Sequence, residues 1–347
     1  MPWPKISPSN IIIRMPNWIG DAVMATPVLF DLRDYYKDAK ITVMCQSNVA
    51  SLLKNDPNVN ELYIYSKPSG WIHRAVHLEV VDQLRCGKYD LGILLTNSFS
   101  SAWWFFLGKV QNRIGYQGNF RDILLNQAVL IPQNIETQHL VITYKNLLTP
   151  LGIPLSNTLP KLYVQEDESL SALQMLNQLE IDPSKNIIIG INPGAAYGSA
   201  KCWLPERFKA LNNRLLEDPR VYIIYFGDQA GVSLVDDICK GTSERVINLA
   251  GKTTIRSLMA LIQKCSLFLT NDSGPMHMAS ALGTKLVALF GSTSDVKTGP
   301  FGNHKIIHKH VECSPCYKRV CPIDFRCMTK ISVEEVYQEI QKLLKQD

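Results

Sequence analysis

Short apolar runs alternate with stretches of helical spacing, and the pattern occurs twice along the chain. In the first half Asn10–Arg14 reads as a buried strand. Asp21–Tyr36 can form the next helix, with Val23, Leu29 and Leu32 among its apolar positions. Ile41–Cys45, Leu62–Tyr65 and Leu91–Leu95 read as further strands, with a candidate helix Trp71–Cys86 before the last. From Pro150 to Asp182-Pro183 the signals turn looplike around one polar helical stretch, Asp167–Leu179, and a hinge is expected there. The alternation then resumes. Asn186–Asn192, Val221–Phe226, Leu267–Thr270 and Lys285–Phe290 read as strands; Pro205–Asp218, Gln229–Lys240, Thr254–Cys265 and Pro275–Leu282 read as helices. Near the end Ser332 and Glu335 form a capping-box pattern, followed by the apolar stripe Val336, Ile340, Leu343 and Leu344.

Such alternation predicts an α/β fold of parallel strands covered by helices on both faces. At 347 residues the chain exceeds what one core usually supports. The expected division is an N-terminal domain over 1–165, a C-terminal domain over 166–330 and a terminal helix over 331–347. Two such halves imply a cleft between them, and open α/β sheets bind ligands at the carboxyl ends of their strands.

Hydrophobic residues at 46% and charged residues at 19% argue against disorder. No apolar run approaches the roughly 20 residues a membrane helix needs, and the polar, proline-rich start does not read as a signal peptide. A cytoplasmic location is expected, with the inner face of the membrane left open. The net charge of +5 suits an anionic substrate or membrane surface without specifying either. Nine cysteines in a cytosolic chain read as reduced thiols.

Several segments carry candidate chemistry. Pro16-Asn17-Trp18-Ile19-Gly20-Asp21 links the first strand to the first helix. Gly20 there allows close backbone approach or a positive φ. Asp21 reads equally as an N-cap or as a general base stabilised by the helix dipole. The Asn192–Pro205 segment, with Gly194, Ala195, Gly198 and Lys201, offers small residues and a cation at a strand end, as a diphosphate leaving group needs. Taken alone, Lys201 would be a solvated loop lysine. Thr270–His277 should present backbone N–H groups of Ser273 and Gly274 to a phosphate, with Pro275 in the first helical turn. Asp272 there could accept sugar hydroxyls, and His277 either donates to phosphate or packs. Phe226–Gln229, Leu249–Thr253 and Phe290–Thr293 end or follow strands and could line a nucleotide pocket. In the first half, Asn97 and Ser98 follow a strand and could meet an acceptor. The aromatic run Trp103–Phe106 reads mainly as core, with a lipid-facing patch as the alternative. Arg113 and Arg121, with Lys109, make a basic loop region suited to an anionic acceptor.

Cys313, Cys316, Cys321 and Cys327 have spacings x2, x4 and x5. Four thiolates could hold Zn²⁺, yet the usual pairing of two C-x2-C motifs is not seen. Free thiols and a disulfide pair stand as alternatives, and no metal is assigned.

Together, Asn17–Asp21, Asn97-Ser98-Phe99, Arg113–Tyr116, Pro193–Ala195, Lys201–Trp203 and Asn271–His277 resemble the ADP-heptose:lipopolysaccharide heptosyltransferases, glycosyltransferase family 9. The resemblance spans nearly the whole chain. The Asn-Ser-Phe segment and the loop from Gly194 to Lys201 resemble heptosyltransferase II more than I. It implies the GT-B fold, two facing Rossmann-like domains with a cleft between them. It also implies inverting transfer of L-glycero-D-manno-heptose from ADP-heptose to the heptose-I/Kdo inner core of lipopolysaccharide. By the same resemblance Asp21 is the base and Lys201 contacts the donor phosphates. Asp272 lies near the donor sugar, and Ser273, Gly274, Met276 and His277 belong to the diphosphate loop. No metal cofactor is obligatory, though a divalent ion is not excluded. Peripheral contact with the inner membrane fits the acceptor, and nucleic acid is not a partner. A relative acting on a heptose I or heptose III type acceptor, and a non-catalytic nucleotide-sugar-binding protein, are the competing readings. The ribose-contacting residue stays open.

Overall fold

The computed structural model describes residues 6–66, 73–302 and 304–345. The chain divides into two compact units, Met1–Tyr163 and Val164–Asp347.

The first unit runs β1 (Asn10–Arg14), α1 (Ile19–Met24), α2 (Thr26–Tyr35), β2 (Lys40–Cys45), α3 (Ser47–Leu53) and β3 (Glu61–Ile64). It continues through α4 (His73–Gly87), β4 (Leu91–Leu94), α5 (Phe99–Leu107), β5 (Asn112–Tyr116), β6 (Gln127–Val129) and α6 (Leu140–Asn146). The first two residues of the expected helix Trp71–Cys86 lie outside the described residues. The sheet order is β3-β2-β1-β4-β5-β6, with every pairing parallel.

The second unit runs α7 (Glu166–Gln178), β7 (Ile187–Asn192), α8 (Pro205–Leu215), β8 (Val221–Tyr225), α9 (Val232–Cys239), β9 (Val246–Asn248) and α10 (Ile255–Lys264). Then follow β10 (Leu267–Asn271), α11 (Gly274–Ala281), β11 (Leu286–Phe290), α12 (Asp295–Thr298), β12 (Lys305–His308), α13 (Arg326–Thr329) and α14 (Val333–Leu344). Its order, β12-β11-β10-β7-β8-β9, is again all parallel. Both sheets thus repeat the doubly wound order, in which the connection reverses direction beside the first strand. The reversal falls between β1 and β4 in one unit and between β7 and β10 in the other. Loops leaving those strands diverge there and leave an opening, so this topology decides where a ligand can sit.

The expected α/β class holds. Central strands are apolar on both faces because helices cover both, as in β4 and β11, every residue of which is buried. Ile189, Ile223, Leu267 and Leu269 form the second core with Phe208 and Leu211 of α8. Val336 and Ile340 of α14 enter the same core. Val80, Leu84, Leu94 and Phe105 anchor the first. No helix among the described residues is long and apolar enough to cross a membrane.

Three expectations need correction. Asp21–Tyr36 is two helices, broken at Ala25. Pro27 has no N–H to give the carbonyl of Val23, and the Thr26 hydroxyl donates to that oxygen instead at 2.8 Å. The same hydroxyl accepts from the Lys161 amide at 3.1 Å. Thr26→Val strands the buried Val23 carbonyl and removes the part-buried bond to the Lys161 amide, and is expected to lower stability by about 1–3 kcal/mol in urea unfolding, with Thr26→Ser close to wild type. Second, Ser332 does cap α14, accepting from the Glu335 amide at 3.1 Å. Glu335, however, turns its carboxylate to Lys309 at 2.6 Å, so half of the expected box is used elsewhere. Third, Arg113 lies on strand β5, not in a loop.

Candidate active site

In the first unit the chain leaves β1 through Met15–Trp18 and enters α1. Trp18 is the N-cap and makes no side-chain cap bond. Asp21 is therefore the third helical residue, not the cap, and Gly20 is an ordinary helical position. Below this loop Arg14 is buried. Its guanidinium donates to the Tyr65 hydroxyl, to the Met15 carbonyl and, at 2.8 Å, to Asn17 Oδ1. Tyr65 donates to the same Oδ1 at 3.1 Å, and the Arg14 guanidinium carbon sits 4.6 Å over the Tyr65 ring. Asn17 is thus pinned at the strand end. Asp21 interacts electrostatically with the buried Tyr144 of α6. Burial first, then the Asp21 charge, pushes that phenol well above its ordinary range, so it stays protonated.

The loop after β4 meets a different constraint. Arg121 is 0% exposed. Its guanidinium donates to the Tyr116 carbonyl at 2.6 and 2.8 Å, to the Thr96 carbonyl and to Asn97 Oδ1 at 3.0 Å. Arg113 donates to the Leu124 carbonyl at 2.7 Å and to the Val110 carbonyl. Arg113 is spent on backbone oxygens and Arg121 on backbone oxygens and Asn97 Oδ1, and Lys109 alone of the three is exposed. The expected basic acceptor region is accordingly a brace: Arg121 ties the loops after β4 and β5 together and orients Asn97. Ser98 caps α5, its hydroxyl accepting from the Ser101 amide at 3.3 Å. The aromatic run splits. Trp104 and Phe105 are buried, whereas Phe99, Trp103 and Phe106 are exposed and stack with centroids 6.0 and 5.9 Å apart.

In the second unit two asparagines lace the switch-point loops. Asn192, ending β7, donates to the Gly194 carbonyl at 2.9 Å and to Ser273 Oγ at 3.3 Å. Asn271, ending β10, donates to the Pro193 carbonyl at 2.6 Å and accepts from the Trp203 amide at 3.0 Å. Between them Lys201 Nζ donates to Asp272 Oδ2 at 2.5 Å, with side chains 13% and 5% exposed. Thr293 donates to the same oxygen at 2.6 Å, and Lys201 lies 4.9 Å over the Tyr197 ring. Lys201 is therefore not the solvated loop lysine of the bare sequence but the part-buried partner of a buried carboxylate. Ser273 is the N-cap of α11 without a side-chain cap bond. Met276 and His277 are buried in the helix, and space around the Gly194 α-carbon is open. Asp228, an exposed residue, caps the turn Gln229–Gly231 by accepting from the Gly231 amide at 2.9 Å.

A further loop, residues 309–325, packs on this one. Tyr197 donates to the Tyr317 carbonyl at 2.7 Å, and the Ala200 amide to the Arg319 carbonyl at 3.0 Å. Gly198 has φ +155°, and a Cβ there would lie 2.3 Å from the Arg319 carbonyl oxygen. Gly198→Ala is expected to push the two loops apart at a cost of about 1–3 kcal/mol in urea unfolding. Unchanged stability would show that this contact does not hold them together.

Arg14, Tyr65 and Arg319 were not among the expected site residues, and Tyr197 and Thr293 lay in candidate segments without a role of their own. Arg14 had one legible signal, a charge ending an otherwise apolar strand.

Two parallel doubly wound sheets, each with polar, small-residue loops at its switch point, define the paired Rossmann-like architecture of the GT-B glycosyltransferases. The model for glycosyltransferase family 9 (heptosyltransferase) matches residues 77–325, and the chain belongs to this family. It is 31% identical to lipooligosaccharide heptosyltransferase 2 of Campylobacter jejuni, over 97% of this chain and 98% of that protein. The solved structure of Escherichia coli ADP-heptose LPS heptosyltransferase II is 27% identical, with a TM-score of 0.82 over 97% of this chain and 99% of that one. A family 9 glycosyltransferase from Veillonella parvula has the same fold, with a TM-score of 0.87 at 23% identity over 98% of each chain. The protein is a glycosyltransferase, as the motifs in the sequence implied.

Proposed function

We propose that this heptosyltransferase moves L-glycero-D-manno-heptose from ADP-heptose to the heptose-I/Kdo inner core of lipopolysaccharide, with inversion. The observation that carries the reading is end-to-end similarity to enzymes named heptosyltransferase 2, one described with ADP-heptose and LPS. Asp21 removes the proton of the acceptor hydroxyl as its oxygen attacks the anomeric carbon. The bond to the ADP oxygen breaks, and the diphosphate departs with the electron pair. Lys201 and the amides at the start of α11 offset the charge that develops there. Asp272 holds Lys201 in the loop, so its charge is in place before the donor arrives. Gly194 and Ala195 leave room for the phosphates; Asn97, set by Arg121, and Ser98 face the acceptor. The step as written requires no metal.

An acceptor borne on lipid places the enzyme at the cytoplasmic face of the inner membrane in this reading, and exposed Phe99, Trp103 and Phe106 suit peripheral contact. Incubation with ADP-heptose and inner-core acceptors, with and without the first heptose, tests it. Product mass should rise by one heptose only when the first is present, and the new linkage should be inverted. Transfer to Kdo alone would move the enzyme to the heptose I type. Absence of any ADP release would favour a non-catalytic sugar-nucleotide binder.

A further inference from the structure

The last two strands end side by side, with Phe290 of β11 paired to His308 of β12. The chain leaves β11 through residues 291–294 and enters α12 at Asp295, which meets the end of β12. There Asp295 Oδ1 lies 2.9 Å from His308 Nδ1, and Oδ2 lies 3.5 Å from His310 Nε2. The two imidazole centroids are 4.0 Å apart. One ligand atom of each residue falls within 4.8 Å of the other two. No other trio of histidine, cysteine, aspartate or glutamate is gathered in this way among the described residues. The late cysteines have no part in it.

The hydrogen bonds around His308 fix its tautomer. Ser314 Oγ meets two groups, the Gly291 carbonyl and, at 2.9 Å, His308 Nε2. A carbonyl only accepts, so the single hydroxyl proton goes to Gly291 and Nε2 donates its own. Nδ1 of the neutral ring is then a lone pair, and it faces a carboxylate oxygen. Two acceptors at this distance repel unless a positive charge lies between them, either a proton or a metal ion. The His308 side chain is 2% exposed. A buried imidazole with its outer N–H tied to an oxygen is the usual state of a metal-bound histidine. His310 adds a second sign. Its φ is +42°, a left-handed backbone that a bulky side chain keeps only where its surroundings hold it, and its ring lies against that of His308.

We propose that Asp295, His308 Nδ1 and His310 Nε2 bind one zinc ion, with water completing the tetrahedron on the exposed side of His310. The ion replaces the proton between Nδ1 and Asp295, which goes to solvent. Zinc bonds of about 2.0–2.1 Å set tetrahedral ligand atoms about 3.3 Å from one another. The 2.9 and 3.5 Å separations lie to either side of that value. Two imidazoles and one carboxylate suit zinc, whereas calcium and magnesium take oxygen ligands. The ion ties the start of α12 to the end of β12. The segment it holds carries the Thr293 hydroxyl that donates to Asp272 and the Ser292 carbonyl that receives the Cys316 and Tyr317 amides. The site is thus a structural one, steadying the segment against which the Lys201–Asp272 pair is set.

Zinc titration of the chelator-treated full-length protein by calorimetry tests this. One binding event should be present in the wild type and in Cys313→Ser/Cys316→Ser, and lost in Asp295→Asn and His310→Ala. Ser314→Ala, which unties Nε2, should keep the event with a Kd about 10–100-fold weaker. Imidazole nitrogen NMR of the labelled wild type should show zinc taken up through Nδ1 of His308 and Nε2 of His310. An event retained by His310→Ala would overturn the proposal. So would an event lost in a cysteine variant of unchanged circular dichroism, or imidazole signals that stay in place when zinc is added.

Discussion

Asp21→Asn is expected to slow heptosyl transfer by about 10²–10⁴-fold, the usual worth of a positioned general base, while ADP still binds with its wild-type affinity. The substitution keeps the side-chain shape and its hydrogen-bonding reach but cannot take a proton. Asp21 sits in the first turn of α1, where the free amides favour a carboxylate over its acid form. It is not the N-cap of the helix, a place that Trp18 takes. Tyr144, protonated beside it, does not compete as a base. The check is a transfer assay beside calorimetric ADP titration. Near-normal turnover in the variant would remove Asp21 from the mechanism.

The Lys201–Asp272 pair should separate stability from catalysis. Lys201→Met leaves a buried carboxylate without its cation, which typically costs about 3–5 kcal/mol. For a unit of this size that corresponds to a melting temperature lower by roughly 6–20 °C. Lys201→Met/Asp272→Leu removes both charges and is expected to recover most of that loss, because an apolar pair of similar volume replaces a costly ionic one. Transfer should stay depressed in both, by roughly 10²–10³-fold, as for loss of one charge-stabilising group in the transition state. Scanning calorimetry and the transfer assay read the two effects independently. A double variant as unstable as the single would show that the ion pair is not what holds this loop.

The central strands were legible because burial on both faces leaves continuous apolar runs, as in Asn10–Arg14 and Val221–Tyr225. Four strands were not. β6, β9 and β12 are short sheet edges, half-covered, and their sequences Gln-Ala-Val, Val-Ile-Asn and Lys-Ile-Ile-His carry no sustained pattern. β5 begins Asn-Arg, and its arginine suggested a solvated loop. In the fold that arginine folds back onto carbonyls of its own neighbourhood. The helix break at Ala25 was signalled by Pro27 and passed over, because the apolar spacing continues through it.

What the sequence determined by itself is the α/β alternation, the strand-end position of the chemical motifs and the family. These depend on local periodicity and on residues adjacent in the chain. Only the tertiary structure decided how each polar side chain is used. Arg121 is satisfied by Thr96 and Asn97, Lys201 by Asp272, and the amides of Cys316 and Tyr317 by Ser292, partners some 24 to 71 residues away. A buried donor must find an acceptor wherever the fold brings one. Whether an arginine binds a ligand or braces a loop is therefore settled by contacts that no local pattern encodes.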